Sequence, residues 1–366
     1  MEGEERVTAG PELWTTGIPI PGLAARLARR AEDQGWDGMV LPDSQNLAGD
    51  PYVGLAMAAH ATSRLRLGTG VTNPYTRHPA VTAAAIASVH AESGGRAVLG
   101  IGRGDSSLAH LGLAPAPVGA FARYVERVQL YLSGAEVAFD PPEGAGAPPD
   151  VGRLRLAGAP AKSRLEWLSG SLPKVPVDVV ATGPRVIAAG ARLADRLTFA
   201  VGADPDRVRW AVETARRARA EAGLDPGGIS LGAYVNVVAH PDGDTARQLI
   251  SGGLASFARF SAMHGTVAGP ASEDDRRVLL EVQRSYDMAG HFRHGSPQSA
   301  ALTDGFVDRF GVAGPPGLCT RRLRLLLDVG LERLVVVGPA AGADRQETAR
   351  AASCFVEEVM PGLRPA

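Results

Sequence analysis

Hydrophobic and polar positions follow two alternating patterns along the chain. Short runs of aliphatic and β-branched residues are followed by longer stretches in which apolar residues recur three and four positions apart, as in LAARLARRAEDQGW at 23–36. The first pattern predicts buried strands and the second predicts amphipathic helices. The predicted strands lie at 13–19, 38–43, 64–73, 96–106, 175–184, 195–204, 229–240 and 331–339. The predicted helices lie at 23–36, from about 51, and at 79–92, 121–132, 185–194, 205–222 and 343–359.

Strands that each precede a helix indicate an α/β fold of the (β/α)8 TIM-barrel class. The whole chain, 1–366, is predicted to be one such domain, with insertions at about 136–175 and 245–310. The stretch 242–322 is mostly helical in pattern and too long for one crossover, so an inserted subdomain is expected within it. The alternative is an open dinucleotide-binding sheet, suggested by GIGRGD at 100–105. It is disfavoured because no acidic residue ends another strand about twenty positions later.

The composition limits the class of partner. Lys and Arg total 38 against 39 Asp and Glu, a formal net charge of −1, so no basic field attracts nucleic acid or an anionic membrane. No window approaches ~20 uninterrupted apolar residues, and the N-terminal MEGEERVTAG lacks the pattern of a signal peptide. Cys319 and Cys354 are the only cysteines, which excludes a disulfide framework and fits a reducing cytosol. We therefore expect a cytoplasmic protein that acts on a small molecule.

Small and polar residues end three consecutive predicted strands. They are Asp43 and Ser44 after the second, Gly70, Val71, Thr72 and Asn73 after the third, and Gly104, Asp105 and Ser106 after the fourth. Each group alone is consistent with ordinary turns and helix caps. In a TIM barrel, however, these ends meet at the face that carries the active site. Three adjacent ends of this kind therefore favour a binding crevice.

The fifth predicted strand ends in Ala181, Thr182, Gly183 and Pro184 and opens directly into a helix. Thr182 is expected to cap that helix, and Pro184 suits its first position because a proline has no N–H to leave unpaired. The free N–H groups of the first turn can receive a phosphate. An ordinary capped helix is the equally acceptable alternative.

A long run in the first half of the chain resembles a known family. GTGVTNPYTRHPAVTAAAIASVHAESGGRAVLGIGRGDS, at 68–106, is similar to the luciferase-like flavin and deazaflavin oxidoreductases, in particular to the branch that contains methylene-tetrahydromethanopterin reductase. AEDQGWDGMVLPDS at 31–44 and VVATGPRVIAAGARLADRLTFAVG at 179–202 support the resemblance. The stretches 136–175 and 245–310, which build the substrate pocket in the family, match nothing recognisable. The substrate is therefore not carried over.

The resemblance implies a cofactor, a set of contacts and a dimer. The cofactor is coenzyme F-420, a deazaflavin, with FMN as the alternative. A cis peptide between Gly70 and Val71 is expected to support the rear face of its ring. Asp43, Ser44, Asn73 and Asp105 are expected at the ring and ribityl chain, and Gly183 with its neighbours at the phosphate. The implied activity is hydride transfer at C5 of the ring, and the implied assembly is a homodimer formed by early barrel helices. The other readings are an FMN-dependent monooxygenase or oxidoreductase and a barrel that binds cofactor without turnover.

The candidate catalytic residues are Asp43 and Asp105, because a carboxylate beside the ring can hydrogen-bond it or exchange a proton with the substrate. His291 and His294 flank an arginine, but no third ligand with suitable spacing follows. No metal is therefore predicted, and these two are interpreted as surface or lid histidines. His78 is interpreted as structural, since it precedes Pro79 at a helix start.

Overall fold

The computed structural model describes residues 10–140 and 149–364. Parallel strands close a barrel, since the eighth pairs with the first and the seventh pairs with both the sixth and the eighth. In order, the barrel strands are Glu12–Thr16, Gly38–Leu41, Arg66–Thr69, Ala97–Ile101, Val177–Ala181, Arg196–Phe199, Ser230–Ala239 and Arg333–Val337. Each lies within its predicted range or begins one residue before it. The (β/α)8 barrel is therefore confirmed and the open dinucleotide-binding sheet is excluded.

Helices surround the barrel. They are Ala24–Asp33, Pro51–Ala61, Pro79–Glu92, Ser106–Ala109, Val118–Leu132, Pro184–Leu193, Pro205–Glu221, Gly243–Phe260, Glu273–Arg284, Asp304–Phe310, Pro316–Leu327 and Arg345–Cys354. The last is continued by a π-helical segment, Phe355–Val359. Several begin at a capped proline, as where Asp50 accepts a 2.8 Å bond from the backbone N–H of Tyr52 and Pro51 starts the helix. No helix in 10–140 or 149–364 is both long and apolar enough to cross a bilayer.

The barrel interior combines aromatic, aliphatic and charged layers. Trp14, Val40, Val98, Tyr234 and Val335 pack across its centre. At its N-terminal end the buried guanidinium of Arg333 donates to Asp178 Oδ2 at 3.0 Å and to Thr198 Oγ1 at 2.8 Å. These buried charges are therefore paired within the barrel. Active sites of TIM barrels lie at the opposite end, where the strands end.

The two predicted insertions differ in size and in how much structure they form. Within 136–175, Val137–Ala138 and Lys162–Ser163 form a short antiparallel pair and Val151–Leu154 a 3-10 turn, while 141–148 lie outside the described residues. The segment 245–310 is larger, and its helices form a second hydrophobic cluster. That cluster packs directly on the barrel, because Gly243–Phe260 contacts the seventh strand and Arg207 donates to the carbonyl oxygens of Ala268 and Pro270.

Candidate active site

The third strand ends in a cis peptide bond between Gly70 and Val71, as expected. A β-carbon at position 70 would lie 2.5 Å from Cγ2 of Val40 and 2.9 Å from the hydroxyl oxygen of Tyr234, so only glycine fits. A β-carbon at Gly100 would lie 2.0 Å from the carbonyl oxygen of Thr69. Val71 is half-buried. The methyl groups of Val71 fill the space that side chains at Gly100 and Gly102 would occupy. These contacts hold the Val71 side chain in place.

Asp43 is held by residues of the next strand end. It is 1% exposed, and its Oδ2 accepts a 2.7 Å hydrogen bond from Thr72 Oγ1 and an ion-pair contact from Arg77. Arg77 also reaches Asp50 at 2.6 Å and stacks over the ring of Tyr52, 4.9 Å from its centroid. Oδ1 of Asp43 is buried without a partner among the described residues. The second and third strand ends are therefore tied together, and one acceptor atom remains free.

A second polar side chain at these strand ends, Asn73, has one group that is only weakly hydrogen-bonded. Its Oδ1 accepts from the backbone N–H groups of Tyr75 and Thr76 at 3.0 and 3.1 Å, which fixes the turn that follows. Among the described residues its amide nitrogen reaches only Ser107 Oγ, at 3.5 Å. Gly104 has φ of +81°, and a β-carbon there would lie 3.1 Å from Cβ of Asn73. Glycine at 104 thus lets the fourth strand end pass close to the third.

Ser44 and Tyr124 support the same strand ends through hydrogen bonds. Ser44 is half-buried, and its carbonyl oxygen accepts from the N–H groups of Leu47 and Ala48, so it begins a turn. Burial raises the pKa of the Tyr124 phenol to about 12, so its hydroxyl stays protonated. That hydroxyl donates to the carbonyl oxygen of Arg77 at 2.9 Å.

Asp105 lies at the start of the short helix Ser106–Ala109 but does not cap it. Its carboxylate is ion-paired with Arg259 of the helix Gly243–Phe260. Both side chains are mostly buried, with 17% and 13% of their surface exposed. The fourth strand end is therefore linked to the large insertion, a contact that the sequence analysis did not predict.

The insertion brings further polar and aromatic side chains to Asp105. The guanidinium of Arg259 lies 4.4 Å from the ring centroid of Tyr286, whose hydroxyl contacts Nδ1 of His291 at 2.5 Å. The ring of Phe292 meets that of His291 edge-on at 4.6 Å and that of Phe257 at 5.9 Å. Arg259, Tyr286, Phe257 and Phe292 were missed because they are remote in sequence and lie where no family motif was recognisable, whereas His291 was interpreted only as a surface or lid residue.

The fifth strand end has an open helix N-terminus. Ala181 is buried, Gly183 occupies the cap position before Pro184, and a β-carbon at Gly183 would meet no atom within 4 Å. The expected cap by Thr182 is wrong, because its hydroxyl donates to the carbonyl oxygen of Ala200 at 3.1 Å. The chain thus leaves the first-turn N–H groups uncapped by a side chain.

Two arginines add positive charge near this helix start. Burial lowers the pKa of Arg103, and so does the positive charge of Arg185, which is near enough to act on it. Arg185 is the second residue of the helix Pro184–Leu193. A helix N-terminus with nearby cations favours an anionic group.

The three histidines considered in the sequence analysis have different environments. His78 caps the helix Pro79–Glu92 by accepting from the N–H of Ala80 at 3.2 Å, as expected for a structural residue. His294 is exposed, whereas His291 is half-buried beside Tyr286. Across 10–140 and 149–364, no group of three or more His, Cys, Asp or Glu side chains is placed to hold a metal ion.

Comparison with known sequences gives consistent matches over the whole chain. A profile of the family described as "Luciferase-like monooxygenase" matches residues 10–333. The 5,10-methylenetetrahydromethanopterin reductase of Methanolobus tindarius is 27% identical over 320 residues, 86% of this chain and 90% of the relative. That of Archaeoglobus fulgidus is 28% identical, over 91% and 93% of the two chains. A phthiodiolone/phenolphthiodiolone dimycocerosates ketoreductase of Mycobacterium kansasii is 26% identical, over 97% and 94%.

Solved structures share the fold over nearly their full lengths. The coenzyme F-420-dependent tetrahydromethanopterin reductase of Methanopyrus kandleri superposes with a TM-score of 0.73 at 24% identity, covering 97% of this chain and 100% of that one. An F-420-dependent secondary alcohol dehydrogenase gives 0.69 at 16% identity, with the same coverage. A type II Baeyer–Villiger monooxygenase of Pseudomonas putida in complex with FMN gives 0.61 at 18% identity, covering 96% and 98%.

Proposed function

Because the chain belongs to the luciferase-like monooxygenase family, we propose that it is an oxidoreductase that transfers hydride between coenzyme F-420 and a small organic substrate. The observation that carries the proposal is the match to methylenetetrahydromethanopterin reductases over about nine-tenths of both chains. The two solved F-420-dependent neighbours have the higher TM-scores among the structures named above. The FMN-bound neighbour is the basis of the alternative cofactor.

The residues of the crevice fit a deazaflavin. Its tricyclic ring has hydrogen-bonding groups along one edge, and buried polar atoms without partners are the groups that a ligand satisfies. Oδ1 of Asp43 is such an atom. At the adjacent strand end, the amide nitrogen of Asn73 has a long contact of 3.5 Å with Ser107 Oγ. The apolar surface of Val71 lies beside them and suits the face of a ring. We assign the ring to Asp43, Ser44, Asn73 and the segment 70–72.

The anionic end of the cofactor fits the fifth strand end. The open space at Gly183 allows a phosphate to approach the uncapped N–H groups of the helix Pro184–Leu193. Arg103 and Arg185 supply positive charge for the phosphate and for the carboxylates of the cofactor tail. A neutral or cationic ligand would gain nothing from this arrangement.

When bound, the coenzyme supplies the hydride acceptor or donor at its C5 atom. The protein orients it and controls the charge around it. Asp43, fixed by Thr72 and Arg77, accepts a hydrogen bond from the ring edge. Asp105, held by Arg259, is the carboxylate that we assign to the substrate, where it would orient a substrate donor or take a proton.

The experiment is a binding comparison by fluorescence. We expect coenzyme F-420 to bind at least about tenfold more tightly than FMN, a difference of roughly 1.4 kcal/mol. An Arg103→Gln/Arg185→Gln double variant should lose part of the F-420 affinity, and the remaining affinity should depend less on salt. Equal or reversed affinities would favour the FMN-dependent alternative. Binding without turnover, tested with methylenetetrahydromethanopterin and a panel of alcohols and ketones, would favour a non-catalytic barrel.

We also propose a homodimer. Val53 and Met57 lie one turn apart on the helix Pro51–Ala61 and are 66% and 57% exposed. Val81, on the adjacent helix Pro79–Glu92, is 54% exposed. Apolar side chains grouped in this way favour burial against a second copy. A monomeric mass by light scattering at micromolar concentration, identical for wild type and Met57→Glu, would contradict the dimer.

The cysteines support a cytoplasmic location. Cys319 and Cys354 are both buried and unpaired thiols. Burial raises the pKa of Cys319 to about 12, which keeps its thiol protonated and unreactive. Free thiols of this kind are typical of a reducing compartment.

A further inference from the structure

Tyr286 and His291 belong to a chain of hydrogen bonds whose direction can be assigned. The hydroxyl of Ser256 donates to the carbonyl oxygen of Gly252 at 3.1 Å, so its oxygen is left to accept. It accepts from the hydroxyl of Tyr286 at 2.8 Å and from the backbone N–H of Phe292 at 3.1 Å. The proton of the Tyr286 hydroxyl is therefore used toward Ser256.

This direction fixes the protonation of His291. Because the Tyr286 proton points to Ser256, the 2.5 Å contact between the Tyr286 oxygen and Nδ1 of His291 requires Nδ1 to carry the hydrogen. In the neutral ring the proton-free nitrogen is then Nε2. Among the described residues Nε2 has no hydrogen-bond partner, and it is not one of the buried unpaired atoms. A hydrogen-bond acceptor is thus presented to the surroundings.

The surroundings of His291 keep it neutral. Burial, with smaller contributions from the neighbouring Arg259 and His110, lowers its pKa to about 4. Arg259 is ion-paired with Asp105, and Nε2 of His110 is buried without a partner among the described residues. Tyr286 is the remaining titratable neighbour, and burial raises its pKa. Nε2 therefore stays an acceptor across the physiological range of pH.

Side-chain contacts connect His291 to two of the strand ends. Aromatic contacts connect it to the third strand end: its ring meets that of Phe292, Phe292 meets Phe257, and Phe257 meets Tyr234 at 5.7 Å. The hydroxyl of Tyr234 is the atom that excludes a β-carbon from Gly70. Arg259 connects the same group to Asp105 from the other direction. His291 is thus connected to the fourth strand end through Tyr286, Arg259 and Asp105.

We infer that His291 determines substrate specificity by accepting, at Nε2, a hydrogen bond from a hydroxyl or N–H group of the substrate. This inference rests on the proposed function, because it assumes a substrate beside the ring. The substrate class is an organic molecule whose donor group neighbours the carbon that exchanges hydride, such as a secondary alcohol. A molecule that offers only an acceptor leaves Nε2 unpaired and binds poorly.

Chemical labelling tests the acceptor atom directly. Diethyl pyrocarbonate acylates unprotonated imidazole nitrogen, and at pH 5.5 ordinary exposed histidines are mostly protonated. We expect His291 of the F-420-bound enzyme to be labelled at pH 5.5. Added secondary alcohols should slow the labelling, and the O-methyl ethers of those alcohols should not. His294→Gln is the control, since it removes the exposed histidine of the same segment. No labelling of His291, or no protection by any compound of the panel, overturns the inference.

Two substitutions separate recognition from a structural role. His291→Asn places an amide near the position of Nδ1, which keeps the contact with Tyr286 but removes the outer acceptor. His291→Gln places its oxygen near the position of Nε2. We expect KM for the substrate to rise about tenfold or more in His291→Asn, as for loss of a hydrogen bond of about 1.4 kcal/mol, and less in His291→Gln. A smaller effect in Asn than in Gln would show a structural role only. Quenching of F-420 fluorescence by wild type reports the proposed function separately.

Discussion

Oδ2 of Asp43 accepts a 2.7 Å hydrogen bond from the hydroxyl of Thr72, while Oδ1 of the same carboxylate is buried without a partner among the described residues. The bond joins the ends of two neighbouring barrel strands. With Arg77 on the same oxygen, the carboxylate is held in one orientation. The free oxygen is therefore positioned in advance for a ligand, and the site loses little entropy when it binds one.

Asp43→Asn should weaken F-420 binding more than it slows turnover. The amide cannot serve as the counter-ion of Arg77, and it presents one acceptor where the carboxylate has two. A hydrogen bond to a charged group contributes about 1.5–3 kcal/mol, so we expect a loss of affinity of roughly ten- to a hundredfold. Fluorescence quenching measures it. Asp50→Asn is the matched control, because Asp50 pairs with the same arginine but is largely exposed. An equal loss in both variants would assign the effect to Arg77.

Asp105→Asn should have the opposite profile. Asp105 is held by Arg259 from the insertion and lies on the substrate side of our assignment. Its loss should reduce kcat by about a hundredfold or more, as for removal of a proton-transfer group, with F-420 affinity changed less than threefold. Steady-state kinetics with a substrate from the binding panel gives both parameters. If Asp105→Asn has the kinetics of the wild type, Asp105 has no catalytic role.

Gly183→Asp should abolish cofactor binding without unfolding the protein. A β-carbon at this position meets no atom within 4 Å and the backbone φ is −89°, so the substitution is tolerated locally. The new carboxylate would face the cofactor phosphate at the helix N-terminus and repel it. Gly183→Ala is the control for bulk without charge. Retained affinity in Gly183→Asp, at an unchanged Tm, would place the phosphate elsewhere.

The barrel could be predicted from sequence because each strand–helix unit carries its own local signal. Buried runs such as 229–240 and the start of a helix at Pro79 depend on neighbouring residues only. The short strand Val312–Gly314 was missed, since it lies within a stretch that is helical in pattern; it pairs in parallel with the last residues of the seventh strand. The cap at Thr182 was wrong because the hydroxyl has a competing acceptor in the next strand.

The site residues that follow barrel strands could be predicted from the sequence, whereas those of the insertion could not. Asp43, Asn73 and Asp105 follow strands, so the barrel topology alone brings them to one face. Arg259 is 154 positions from Asp105, and its partner was therefore not predictable from spacing. His291 was interpreted as a surface or lid residue, because its burial depends on Tyr286 and on contacts formed only in the folded insertion.

Asp178→Ala should destabilise the barrel strongly. Arg333 is 1% exposed and donates to Asp178, Thr198 and Ser230 inside the barrel. Removal of the carboxylate leaves a buried charge without its counter-ion, which costs about 3–5 kcal/mol. Thermal or chemical denaturation measures the loss. The double variant Asp178→Ala/Arg333→Met should recover much of it, and failure to recover any stability would indicate a packing effect instead of an unpaired charge.

Glu32 should make the stability of the protein depend on pH in the acid range. Burial opposes its ionisation, but the backbone N–H groups of Arg64, Leu65 and Ser63 and the Ser63 hydroxyl bind the carboxylate and lower its pKa to about 2. Since the folded-state pKa lies below the usual value of 4.5, ionised Glu32 stabilises the fold at pH above about 4.5. That contribution is lost as the pH falls toward about 2.

Glu32→Gln should therefore lower Tm by roughly 2–4 °C at pH 7, and the difference should shrink below pH 4.5. Asp33→Asn removes the same charge from the exposed neighbouring side chain and should leave Tm nearly unchanged. A difference between wild type and Glu32→Gln that stays constant from pH 7 to pH 3 would show that the loop at 63–65 is not held by the charge of Glu32.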